Sequence, residues 1–194
     1  MDDKKQIRQA TPKSCVLDAV MPTYTSHEVH RVPLEPTIVN VMAVTENLTW
    51  ADVPGFHRLI TLAGLGLHRF ARTDQVLRLL LDGPYRIVYR SSVQLVIGGF
   101  FPMSRTFTYP DLGDDPVAGY RDVRVPRAVK VAANFLVADG CLMTETRNLP
   151  ASPEMAEAFS VYWMAIRPFS GLIRQSWLAG IKRRVLAQPS AHQE

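Results

Sequence analysis

Residues 128–148 read AVKVAANFLVADGCLMTETRN, and this stretch decides the fold. Val129, Val131, Ala133, Phe135 and Val137 recur at every second position, the period of a strand with one apolar face. Asp139-Gly140 suits a two-residue turn that needs positive φ at both central positions. The chain should therefore double back at once into a second strand, Cys141 to Asn148. Working outward, Tyr85 to Val93 alternates Tyr85, Ile87 and Tyr89 against Arg86, Val88 and Arg90, and Leu95 to Phe101 continues in apolar style through Gly98-Gly99. Arg105 to Tyr109 is a shorter candidate. Tyr24 to Val32 (YTSHEVHRV) is rich in strand formers and is stopped by Pro33. Sequential strands joined by short turns predict an antiparallel sheet.

Helical patterns frame these strands. Pro36 suits the first turn of a helix over TIVNVMAVTENL. Thr49 to Leu65 reads as a second helical stretch, with Asp52 in capping-box position and Pro54-Gly55 breaking it in the middle. Thr73 to Leu81 reads as a third, short one. Ser152-Pro153-Glu154 then opens a long C-terminal helix with N-cap serine, proline in the first turn and an early acid. Phe159, Trp163, Ile166, Ile173, Trp177 and Ile181 keep a stripe on it. Pro168 inside the helix predicts a kink near Met164–Pro168. Residues 110–125 read as a polar excursion.

Composition sets the bounds. A chain of 194 residues with 47% hydrophobic and 21% charged residues is long enough for one cored domain and short for two. The reading divides it into a disordered leader over 1–22, one domain over 23–188 and a short tail over 189–194; the leader lacks periodicity. Cys15 and Cys141 form no disulfide framework, and the first twenty residues have no apolar run of a secretory signal. The cytoplasm is the expected compartment. A net charge of +4 is too small to imply nucleic acid as a partner.

The order strand, helices, run of strands, long helix resembles the START-like superfamily of polyketide cyclases, lipid-transfer domains and Bet v 1-type proteins (SRPBCC). The residues that carry the likeness are KVAANFLV at 130–137, TETR at 144–147 and YWMAIRPFSGLIRQSWLAGIKRR at 162–184, within a span from Tyr24 to Ala187. The resemblance implies an α+β helix-grip fold, a curved antiparallel sheet wrapped around a long C-terminal helix. It also implies a cavity between sheet and helix that holds a small hydrophobic ligand, lipid or polyketide-like. Apolar-face positions Trp50, Phe56, Ile87, Tyr89 and Phe100 are the ligand-binding candidates from the first part of the chain. Val131, Phe135, Trp163 and Ile166 complete that set.

Chemistry-bearing motifs are sparse. His27-Glu28-Val29-His30 places its histidines three apart on a strand, hence on opposite faces, which excludes a shared metal. Gly64-Leu65-Gly66 lacks the rest of a dinucleotide fingerprint. No cofactor or metal is expected. Glu145 and Arg147 share one strand face, and Lys130 and Asn134 share the matching face of the preceding strand. One account makes these four a solvent-side polar set. The other turns Glu145 into an apolar cavity as the group for a cyclase or dehydratase working by proton transfer. The C-terminal bases Arg167, Arg174, Lys182, Arg183 and Arg184 suit the helix dipole. With Trp177, Leu178 and Ile181 they also suggest a third reading, peripheral contact with a membrane or partner.

Overall fold

The computed structural model describes residues 15–35, 37, 39–62, 71–102 and 107–188. The elements are α1 (Leu17–Val20), β1 (Ser26–Pro33), α2 (Val41–Glu46), α3 (Pro54–Leu62), α4 (Arg78–Leu81), β2 (Tyr85–Arg90), β3 (Gln94–Pro102), α5 (Pro116–Asp122), β4 (Ala128–Ala138), β5 (Cys141–Pro150) and α6 (Pro153–Leu186). The strands form one open antiparallel sheet in the order β1-β5-β4-β3-β2. The hairpin predicted at Asp139-Gly140 is present: Ala138 pairs with Cys141, and the two turn residues have φ of 51° and 70°. Alternation fixes the rest of that register, because a one-residue slip would move the whole apolar face of β4 away from its helix.

Both faces of the sheet are covered, and each has its own core. On one face Leu95, Ile97, Phe135 and Leu142 meet α2, α3 and the C-terminal part of α6 through Trp50, Phe56, Trp177, Leu178 and Ile181. Trp177 is the hub, with its ring 5.9 Å from Phe56 and 5.0 Å from Phe135. On the other face Val88, Val96, Phe100, Ala132, Leu136 and Met143 meet α1 and α5 through Leu17, Val20, Met21 and Tyr120.

Several expectations are corrected here. Residues 1–14 lie outside the described residues, but Cys15, Leu17, Val20 and Met21 are buried, so the leader expected over 1–22 is part of the domain at least from Cys15 on. Four apolar residues are too few to show a period, yet they cover a sheet face that would otherwise be wet. The 110–125 excursion contains α5, capped by the Asp115 carboxylate and burying Tyr120 completely. The helix expected from Pro36 starts instead at Val41, where the Asn40 side chain accepts the Ala43 N–H at 3.0 Å; Pro36 itself lies outside the described residues. Asp52 does accept the Thr49 N–H at 2.8 Å, but Pro54 begins α3 rather than breaking it, as proline in a first turn can. Residues 63–70 lie outside the described residues. Of the third helix only Arg78–Leu81 is helical. In the expected strand Arg105 to Tyr109, residues 103–106 lie outside the described residues and Phe107 to Tyr109 are not in a strand.

Candidate functional site

The α6-facing side of β1 and β5 carries Glu28, His30, Thr144 and Thr146. The register brings them together, with Glu28 opposite Thr146 and His30 opposite Thr144. Alternation alone puts Glu28 and His30 on one face. It sends His27 to the other, as the three-residue spacing required. Helix α6 crosses them at Gly171, where a Cβ would lie 3.3 Å from the Glu28 carboxylate and 3.4 Å from the His30 ring. Even a methyl group there would need the Glu28 side chain to yield by a few tenths of an ångström.

One turn on, Arg174 reaches the same cluster. The Glu28 Oε1 and His30 Nε2 atoms lie 2.9 Å apart, and Arg174 Nη1 is 3.5 Å from the Thr144 hydroxyl, which donates to the Asn134 carbonyl at 2.6 Å. Burial pushes the Arg174 guanidinium pKa down, and the nearby Glu28 charge and Tyr85 oppose that shift. The Tyr85 phenol is held above its usual range by burial. Four buried polar atoms here meet no hydrogen-bond partner among the described residues: Glu28 Oε2, Thr146 Oγ1, Arg174 Nε and Trp177 Nε1. Natural interiors leave few such atoms unsatisfied, because each costs about 1–3 kcal/mol.

The apolar half of the site lies alongside. Tyr85 and Ile87 on edge strand β2, with Val131 and Ala133 on central β4, point to the α6 side and keep partial exposure. Above them, the first two-thirds of α6 bury nothing fully among the described side chains. Phe159 and Trp163 are half-buried and stack at 5.8 Å, whereas Val161, Met164, Phe169 and Leu172 are all more than half exposed. The helix is continuous through Pro168, although that residue cannot donate to the Met164 carbonyl.

The residues expected to bind ligand divide between the two faces. Trp50, Phe56, Ile87, Val131, Phe135 and Trp163 are on the α6 side. Tyr89 and Phe100 belong to the opposite core: Phe100 pairs with Lys130 in odd-even opposition to Val131, and an irregularity between Ile87 and Tyr89 turns Tyr89 over. The Ile166 side chain lies outside the described residues. Trp177, Leu178 and Ile181, cited for membrane contact, are 6%, 0% and 0% exposed, so they hold α6 in the core and offer no surface.

Neither account of Glu145 holds. It is 4% exposed, on the face away from α6, and neither meets solvent nor lines the α6 side. Arg147 Nε donates to Glu145 at 2.8 Å and its Nη2 to Asp18 at 2.6 Å, while its Nη1 donates to the Met21 carbonyl at 2.9 Å. The Arg147 guanidinium also lies 4.6 Å over the Tyr24 ring. Burial works against its charge, but the Glu145 and Asp18 bonds outweigh burial and raise its pKa. This network fastens the N-terminal turn to the sheet. Lys130 and Asn134 are likewise buried there, and Asn134 and Gln94 both donate to the Cys15 sulfur at 3.2 and 3.3 Å.

The sequence reading named Glu28, His30 and Arg174 in other settings and missed that they meet. Their signal is the polar, even-numbered parity of β1 facing an apolar helix, but it is visible only once the opposite face of the sheet is known to be covered too. Among the described residues no group of three His, Cys, Asp or Glu side chains could hold a metal, and no helix is long and apolar enough to cross a membrane. Compared with protein-family models, with curated proteins and with solved structures, the chain matches none.

Proposed function

We propose that this chain holds a small hydrophobic molecule, lipid or polyketide-like, between its sheet and the N-terminal two-thirds of α6, in the manner of a helix-grip domain. The observation that carries the reading is the unfinished core on that face. Apolar side chains of α6 and central β4 stay partly exposed beside four buried polar atoms that lack partners among the described residues. The strand order, with helices between β1 and β2 and a long helix after β5, supports the helix-grip assignment. Covering apolar area stabilises a complex by about 25 cal/mol per Å², so a medium-sized ligand reaches micromolar affinity on burial alone. Native mass spectrometry of protein purified from its own host tests this: a non-covalent adduct that leaves on denaturation is expected. Titration with fatty acids, sterols and aromatic polyketides should move Trp163 emission saturably for one class. No adduct and no saturable response for any class would overturn the proposal.

A second reading is favoured by the Glu28–His30 pair, a carboxylate and an imidazole in contact on the same face. In this reading the bound molecule undergoes proton transfer, as in a cyclase or dehydratase, with Glu28 and His30 in the place first sought for Glu145. Glu28→Gln and His30→Ala would then abolish turnover while leaving ligand affinity within a few-fold.

A further inference from the structure

On the far side of the sheet from α6, Lys130 lines a half-open pocket of about 400 Å³ walled by Val123, Val125, Pro126, Leu149 and Pro150, with Arg124 as its other charged residue. The residue is 7% exposed, and its Nζ donates to two backbone carbonyls at the end of α5, those of Arg121 at 3.0 Å and Val123 at 3.2 Å. The Tyr120 ring lies 4.6 Å from Nζ. Among the described residues no carboxylate is within ion-pairing distance of it. The nearest acid by sequence, Asp122, has both carboxylate oxygens engaged by Arg121, at 2.9 and 3.0 Å. Arg124 adds a like charge.

A buried ammonium without a counter-ion is costly, so this lysine gives up its proton more readily than an exposed one. Once the proton is lost, the two remaining N–H bonds can stay with the two carbonyls and the lone pair is released. Burial, with repulsion by Arg124 second and attraction to Asp122 opposing, pushes the amine down to about 8. A readily released lone pair at the wall of a mostly apolar pocket is the setting of an amine nucleophile.

We infer that Lys130 is a covalent attachment site for a small apolar aldehyde or ketone, which it captures as an imine in the cavity beside α5. The Nζ lone pair attacks the carbonyl carbon to give a carbinolamine. The carbonyl oxygen then leaves as water, taking both amine hydrogens, and the C=N bond forms. No redox partner is required. The site lies on the opposite face from the ligand region under α6 and does not depend on it.

The chain has five lysines, of which Lys182 on α6 serves as an internal control. The full-length protein is treated with butanal and cyanoborohydride, which delivers hydride to the imine carbon and fixes the adduct, and modified lysines are mapped by mass spectrometry. At pH 7 Lys130 should be alkylated at least about ten-fold faster than Lys182, as expected for an amine depressed below the usual lysine range. The Lys130 rate should level off near pH 8, and the fast adduct should vanish in Lys130→Met. Labelling of Lys130 no faster than Lys182, or only after unfolding in urea, would overturn the inference and leave Lys130 as a cap on α5. Because the mapping is made on the parent protein, a poorly folding variant does not weaken the test.

Discussion

Replacing Leu17 with alanine measures whether the N-terminal turn belongs to the domain. Leu17 is fully buried between Val20, Met21 and the sheet face of Val96 and Leu136. Truncating a buried leucine costs about 2–5 kcal/mol. A four-residue helix can settle partly into the space, so we expect the lower part of that range, about 2–3 kcal/mol. The Arg147 network resists full release, because losing Asp18 and the Met21 carbonyl would leave a 3% exposed guanidinium without two partners. For a chain of this size about 3 kcal/mol corresponds to roughly 6–12 °C in melting temperature. Thermal unfolding followed by circular dichroism reads the loss, and a thiol reagent reads the route. If α1 detaches before the rest melts, Cys15, buried in the parent, becomes reactive well below the midpoint. A variant melting within about 2 °C of the parent, with Cys15 still protected, would show that the turn is not docked and refute the reasoning.

Trp177→Ala should be far more damaging than Trp163→Ala, roughly 3–5 kcal/mol for the buried ring against no more than about half that for the half-buried one, read by urea unfolding with unchanged slope. Gly119→Ala sets two effects against each other. Alanine favours a helix by about 1 kcal/mol, but here its Cβ would run into the backbone carbonyl of Leu112, so net destabilisation of about 1–3 kcal/mol is expected and a rise in melting temperature would refute the close approach. Lys130 predicts a pH dependence. Its amine titrates near 8 in the folded chain against 10.5 when free, so the unfolded state holds more protons between those values. Stability relative to Lys130→Met should therefore rise from pH 8 toward pH 10. Above that both chains lose stability alike, since the burial that raises Tyr85, Tyr109 and Tyr120 favours their neutral forms in the folded state, and the difference between them levels off. A flat difference between pH 7 and 10 would contradict a buried, unpaired amine.

Local chemistry was enough for some features. Asp139-Gly140 specified the β4–β5 hairpin because few residue pairs accept two positive φ values in succession, and Ser152-Pro153 specified the start of α6 because the cap depends on its immediate neighbours. Alternation likewise placed His27 and His30 on opposite faces. What alternation could not say is what lies against each face. Lys130, Asn134, Glu145 and Arg147 have the pattern of a solvent side, and only the folding of residues 15–21 and α5 over them turns that side into a second core. The same holds for α6. Its stripe reads alike from Phe159 to Ile181, but the core formed with α2 and α3 closes only over its C-terminal part, so Trp177 is buried and Trp163 is half-buried. Periodicity is a property of one segment, whereas burial belongs to two surfaces meeting. For that reason the sequence determined the β4–β5 hairpin, the alternation of its strands and the long C-terminal helix, and the tertiary structure alone decided which polar residues, Glu28, His30 and Arg174 among them, came to lie inside.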